Sequence, residues 1–293
     1  MRILLLYFTG TYNTRFLTQK VKERLEKDGH SVSCLEVNKD ANPPSLENID
    51  LLGFGYPIYG FNVPHPFMKF VRRLQVPKGL RYFVYKNSGE TYGMNQVSSR
   101  RIHRFMRKRG SISLGEYHYV MPYNIHFEFP IPFIKEAIRE DKKLLEVMVR
   151  NIENGSAKKE KFHLLYTVGA FFVGVQALGG PINSFFYKVD LDKCTRCGLC
   201  VKRCPEGNIQ IQDGRVRFGR RCDMCMRCSF DCPAKAIHIG FLERWLVHRY
   251  YSLSNLWDCC DGEPFVQPDT KGFYRCFYPY FKTIDRWYFE LEN

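Results

Sequence analysis

Over the first half of the chain, short apolar runs alternate with stretches of helical period. Residues 2–8 read RILLLYF, an apolar run behind one arginine, as expected of a parallel strand buried on both faces. Residues 31–37, 51–56, 81–86 and 117–121 read as four more strands. Between the first two, Phe16, Leu17, Val21 and Leu25 share one helix face, and Gly29 follows where a left-handed cap is expected. A later helix combines an apolar stripe of Ile102, Phe105 and Met106 with Arg100, Arg101, Arg104, Arg107, Lys108 and Arg109. Such a face is ordinarily solvated; docking to a partner or a membrane surface is its functional alternative. Residues 131–154 read as a closing helix stopped by Asn154-Gly155. This alternation predicts an α/β domain over residues 1–155.

The pattern changes after residue 155. Residues 158–161 read KKEK, and residues 162–187 are apolar and aromatic, too much so for a loose linker. A helical connector packed on its neighbours is expected over 156–190. Its apolar stretch at 164–179 is shorter than a membrane span and contains Gln176 and three glycines. Residues 242–293 form an aromatic-rich extension with Trp245, Tyr250, Tyr251, Trp257, Phe273, Tyr274, Phe277 and Trp287. Its Cys259, Cys260 and Cys276 are expected to be free buried thiols, with a third metal site as the alternative, and Cys34 a core residue.

Between connector and extension lie two copies of Cys-x2-Cys-x2-Cys-x3-Cys-Pro, CTRCGLCVKRCP and CDMCMRCSFDCP, offset by 28 residues. Ile209 and Ile211 after the first copy match Ile237 and Ile239 after the second. Three close cysteines wrap three corners of a [4Fe–4S] cube, and the fourth reaches the other cube. Cys194, Cys197, Cys200 and Cys232 then hold one cluster, and Cys222, Cys225, Cys228 and Cys204 the other. Zinc is the rival, but zinc sites take cysteines in pairs with a long gap. The runs resemble the two-cluster bacterial-type ferredoxin over about residues 190–241, and a small α+β ferredoxin domain is expected over 191–241.

Composition narrows the picture. The run spacing turns twelve cysteines from a disulfide framework into reduced thiols, hence a reducing, cytoplasmic compartment. The apolar run at 3–8 is too short for a signal peptide and lacks a cleavage pattern. The net charge is +14. Free two-cluster ferredoxins are typically acidic, so this basic chain departs from them. It suggests a redox partner protein with an acidic docking surface, or peripheral contact with an anionic membrane. No nucleic-acid motif accompanies the charge, and no transmembrane span is expected.

The loop after the first strand is Thr9-Gly10-Thr11-Tyr12-Asn13-Thr14. Backbone N–H groups and hydroxyls at a helix N-terminus make a phosphate cradle. The loop resembles the flavodoxin phosphate loop Ser/Thr-x-Thr-Gly-x-Thr, with Tyr12 standing where that family usually has glycine. The resemblance implies a flavodoxin-like doubly wound parallel sheet, order 2-1-3-4-5, with FMN at the carboxyl ends of the strands. Tyr59, then Phe61, would stack on the flavin ring, in a loop with Pro57 and Gly60; Ser88, Gly89 and Tyr92 would meet the ring from the fourth strand. His65, between two prolines, is expected to be a turn residue. Met121-Pro122 followed by Asn124 adds a resemblance to flavodoxin–ferredoxin fusion proteins of anaerobes, covering about residues 1–241.

That resemblance implies an iron–sulfur flavoprotein relaying single electrons between two [4Fe–4S] clusters and FMN, to or from a redox partner. No catalytic side-chain constellation is recognisable, so any chemistry belongs to the cofactors. Two alternatives stay open. One is a ferredoxin whose flavodoxin-like domain holds no flavin and serves for docking. The other is a flavin reductase of a small anionic substrate.

Overall fold

A computed structural model describes residues 1–156, 164–172, 176–247 and 251–292. The KKEK stretch at 158–161 and Tyr250 lie outside the described residues. The N-terminal half is built from β1 (Arg2–Tyr7), α1 (Asn13–Lys27), β2 (Ser31–Glu36), β3 (Leu51–Pro57), α2 (His65–Val71), β4 (Arg81–Ser88), α3 (Arg100–Arg107), β5 (Ile112–Val120) and α4 (Ile131–Glu153). The strands form one parallel sheet in the order β2-β1-β3-β4-β5. This is the flavodoxin-like order, with a switch point beside β1 and β3.

Alternation in β1 sorts the core. Ile3 and Leu5 face α1 and α4, while Leu4 and Leu6 join the layer that holds Phe67 and Met68 of α2 and Ile102 of α3. β5 begins earlier than its apolar pattern, because Ile112 and Ser113 pair with Arg81 and Tyr82 ahead of a register shift. Cys34 departs from the expected core position: β2 is the sheet edge, and the thiol reaches solvent; of the tail thiols expected to be buried, Cys260 is, Cys276 is half-buried, and Cys259 is exposed just past the end of its short helix.

Two helices follow, α5 (Leu164–Phe172) and α6 (Gln176–Ser184). α5 brings Tyr166 against Gly93 and lays Gly169 beside Met94, both in a 3₁₀ turn over Gly93–Ser99. In α6, Gly180 abuts the carbonyl of Cys222. Then come β6 (Tyr187–Val189), α7 (Leu199–Arg203), β7 (Ile209–Gln212), β8 (Arg215–Phe218), α8 (Arg227–Phe230) and β9 (Ile237–Ile239). β6 pairs with β9, and β7 with β8, both antiparallel. The β7–β8 hairpin turns on Asp213-Gly214, both at positive φ (49° and 68°), as a two-residue Asp-Gly hairpin requires.

The chain then returns to the first sheet. α9 (Leu253–Asp258) and α10 (Phe277–Glu292) lie against α4. Trp257, Cys260, Val266, Phe277, Phe281 and Ile284 are buried in the same core layer as α1 and α4. Among the described residues no helix is long and apolar enough to cross a membrane.

Candidate functional site

The 28-residue repeat is visible in the backbone. Arg196 and Gly198 of the first run take positive φ (55° and 73°), and Met224 and Met226 of the second take it at the same offsets (50° and 60°). Gly207 (59°) and Lys235 (47°) repeat it once more. These left-handed residues curl each run so that its first three thiols face inward. The N–H of Asn208 donates to Cys204 Sγ at 3.2 Å, and the N–H of Ala236 to Cys232 Sγ at 3.3 Å. Donors aimed at sulfur suit a thiolate bound to iron.

The fourth cysteines cross over. Cys204 lines one cavity with Cys222, Cys225 and Cys228. Cys232 lines another with Cys194, Cys197 and Cys200. Among the described residues no group of His, Cys, Asp or Glu closes tightly enough to hold a single metal ion. The four thiols of each set line one common cavity. Burial pushes the Cys225 thiol up to about 12 and raises Cys222 and Cys228 as well. Exposed Cys197 is held lower by the N–H of Leu199. The donor set fits the cubes expected from the spacing.

The second run docks on the loop after β1. Arg227, one of the most buried charges in the chain, donates to the carbonyls of Thr9 and Gly10, the latter at 3.4 Å, and lies 3.3 Å from the Glu36 carboxylate. Its guanidinium sits 5.6 Å from the centre of the Phe8 ring. Tyr12 takes the left-handed conformation (φ 76°) that glycine would adopt for free. Its hydroxyl donates to Asp231, which Arg203 approaches at 3.0 Å. The departure at Tyr12 thus preserves the loop's backbone and turns its side chain toward the cysteine module. A side chain at Gly10 would collide with the Tyr59 hydroxyl and the Cys225 carbonyl.

The loop meets the needs of a phosphate only at some positions. The hydroxyls of Thr9 and Thr11 are buried and unpartnered at the N-terminus of α1, beside the Arg227 cation, as an anion cradle would leave them. Asn13 instead donates to the Pro122 carbonyl, and Thr14 to Asn87, both at 2.8 Å. At the ring end, Gly89 leaves room for Tyr123, whose hydroxyl binds Glu90. Ser88 donates to the Glu90 carbonyl and meets His118 Nε2, both at 2.7 Å. Tyr59 lies edge-on to Phe8 at 6.3 Å, its hydroxyl raised by burial and then by Cys225. Pro57 ends β3, and Gly60 (φ 49°) turns the chain between Tyr59 and Asn62. Tyr92 is exposed, edge-on to Phe273. His65 begins α2 and reaches across to Glu206 at 3.1 Å.

Thr9, Gly10, Thr11, Tyr12 and Tyr59 therefore gather against the second cysteine run, while Ser88, Gly89 and Tyr92 belong to a separate cluster around Glu90, Tyr123 and the tail. The spacing gave no hint of Arg227, Arg203, Asp231 or Glu36, whose roles exist only once the modules meet.

Residues 187–210 match the family model of the 4Fe-4S binding domain. The chain is 36% identical over 58 residues to pyruvate synthase subunit PorD of Methanothermobacter marburgensis, covering 20% of this chain and 69% of that one. It is 29% identical over 63 residues to the RNA polymerase subunit Rpo3 of Methanosarcina mazei, again 20% of this chain, and spans only 24% of that subunit. The chain belongs to the 4Fe–4S ferredoxin family. More particularly, the order of its parallel sheet gives the first half a flavodoxin-like fold, joined in one chain to that ferredoxin region. A flavodoxin of Streptococcus pneumonia superposes with a TM-score of 0.41 at 16% identity, covering 53% of this chain and 99% of that one. An archaeal flavodoxin gives 0.38 at 15%, covering 52% and 99%.

Proposed function

We propose that this protein transfers electrons through two [4Fe–4S] clusters, one held by Cys194, Cys197, Cys200 and Cys232, the other by Cys204, Cys222, Cys225 and Cys228. The observation that carries this reading is the crossing of Cys204 and Cys232 into each other's cavity. Clusters supply one-electron steps; the protein supplies burial, N–H donors to sulfur and placement. Residues 1–155, 156–190, 191–241 and 242–293 act as flavodoxin-like domain, connector, ferredoxin domain and extension. The partner is a redox protein with an acidic face, drawn by the net charge of +14. The basic, thiol-rich chain suits a reducing compartment such as the cytoplasm.

FMN belongs to the same reading. Thr9 and Thr11 would donate to its phosphate, with Arg227 balancing the charge, and Tyr59 would separate the ring from Cys225. A bound flavin would accept one or two electrons. A second reading has its own support: Tyr59 and Cys225 close over Gly10, and Tyr123 over Gly89. In it the N-terminal sheet is a flavin-free platform for the ferredoxin module. One experiment separates them: iron, sulfide and acid-released flavin per chain after anaerobic purification. About eight irons with one FMN supports the relay. About eight irons and no flavin, even after reconstitution, selects the platform. Two bound zincs and no sulfide would overturn both.

A further inference from the structure

A cavity of about 650 Å³ opens between the two modules, with Tyr59 in its wall and no residue of the phosphate loop lining it. It falls in the size range of small-molecule sites. Lys69 of α2, Arg100 and Arg101 of α3, and Arg220 and Arg221 from the turn before the second cysteine run all line it. Against these five cations stand two carboxylates, Glu206 and Asp223. Glu206 is held by His65. Among the described residues no carboxylate pairs with any of the five cations.

Gathering like charges round a concavity costs energy unless something of opposite sign occupies it. The cost is visible at Arg101, which burial, then Arg72 and Arg100, push below the ordinary arginine value. A solvated surface would spread such charges outward on long side chains. Here three elements from two modules bring them to the wall of one space, with Arg100 also donating to the Thr167 carbonyl at 3.4 Å and Arg220 lying over the Phe185 ring at 5.0 Å. Arginine forks bind the paired oxygens of phosphates and carboxylates in a bidentate fashion. The remaining wall is apolar or aromatic, from Tyr59, Val63, Pro64, Ala170 and Pro181. The Asp223 carboxylate has a buried oxygen without a partner, an acceptor for a ligand hydroxyl or amine.

We propose that this cavity binds a small multivalent oxyanion with an apolar body, a phosphate ester or polycarboxylate, separate from any flavin at the phosphate loop. Cys222 lines the same cavity, so the bound anion lies beside the second cysteine run. Its negative charge disfavours reduction there and lowers that cluster's midpoint potential. This last consequence rests on the cluster reading above; binding itself does not.

The test titrates the anaerobically purified full chain by calorimetry with pyrophosphate and, separately, citrate. Micromolar binding of either supports the site, and the stronger of the two tells phosphate from carboxylate. Arg100→Gln/Arg101→Gln should weaken it at least tenfold with cluster absorbance unchanged. Arg107→Gln/Arg109→Gln, on and just after the same helix but outside the cavity, should leave it within twofold. Lys69→Gln, at an exposed position on α2, gives the same reading should the double variant misfold. Potentiometry should show pyrophosphate lowering one midpoint in the wild type and not in the variant. No binding at millimolar probe, or binding indifferent to Arg100, Arg101 and Lys69, overturns the site. FMN binding lost in Arg100→Gln/Arg101→Gln would make this the flavin pocket and overturn a second site. Binding without clusters would instead count against the electron-transfer reading alone.

Discussion

Arg227 shows how one side chain couples the modules. It stands inside the second cysteine run, yet its fork closes on carbonyls of the loop after β1 and on Glu36. Glu36 keeps Arg15 at 2.5 Å and the Tyr7 hydroxyl at 3.1 Å, so removing Arg227 mainly strands two buried carbonyls. Arg227→Met keeps the bulk over Phe8 and loses the charge. It should cost about 3 kcal/mol, the scale for breaking a buried polar network. Urea unfolding would read the loss. Arg227→Lys should recover little, because an ammonium cannot span both carbonyls. A second buried group sets the response to acid. Burial, and then the nearby Lys86 charge, depress His118 to about 3 from its ordinary 6.5, so it is neutral in the fold. The folded state therefore binds fewer protons than the unfolded chain below pH 6.5. Stability should fall as pH drops from about 6.5 toward 3. Burial raises Glu116, but Lys86, His103 and Ser99 outweigh it and hold the carboxyl at about 2. Its contribution is lost lower, from about 4.5 to 2. His118→Gln should flatten the upper part of the curve of urea midpoint against pH and leave the lower part intact.

At the scale of elements, the C-terminal helix is structural. Phe277, Phe281 and Ile284 are 0–5% exposed, and Phe277 packs on Phe133 of α4 at 4.7 Å between ring centres. Asp285 reaches across to Lys143 at 2.5 Å. Phe277→Ala should cost about 3–5 kcal/mol through the cavity it leaves, measured as a shift of the thermal midpoint with the iron content unchanged. A fall in iron without a fall in midpoint would contradict this placement. The contrast with the sheet shows what a sequence carries. Strands buried on both faces leave unbroken apolar runs, so β1, β3 and β4 were legible one by one, as was the pairing of the cysteine runs through an exact offset. The tail is as apolar as those strands, but nothing local says which face it covers. Cys34 was misjudged for the same reason: its strand's sequence does not reveal that it forms the sheet edge. Arg227 and Asp231 were hidden still more completely, because each looks like an ordinary polar spacer within a cysteine run until the module docks.

The whole molecule is one arrangement in which a repeat closes on itself and then on a sheet. Cys204 and Cys232 each line the cavity of the other run. A chain with two independent clusters would lose one cluster per damaged run. This chain should instead obey the crossed rule. Cys232→Ser should damage the cluster of Cys194, Cys197 and Cys200, although it lies in the other run. Cys204→Ser should damage the cluster of Cys222, Cys225 and Cys228, in the run whose Cys225 carbonyl lies against Gly10. Each single variant should drop iron from about eight toward four per chain, and low-temperature spectra of the reduced protein should lose different signals. The pairing of phenotypes decides the matter: Cys204→Ser must match Cys225→Ser, and Cys232→Ser must match Cys197→Ser. If Cys204→Ser matches Cys197→Ser, each run serves its own cluster and the crossing is wrong. The crossed result would also rank the two clusters by position. Of the residues that would hold them, Cys225 lies against Gly10 and Cys222 lines the cation-lined cavity, while Cys197 of the other set is exposed. On that result the proposed cluster at Cys197 would face the proposed redox partner, and the one at Cys222 and Cys225 would face the flavodoxin-like module.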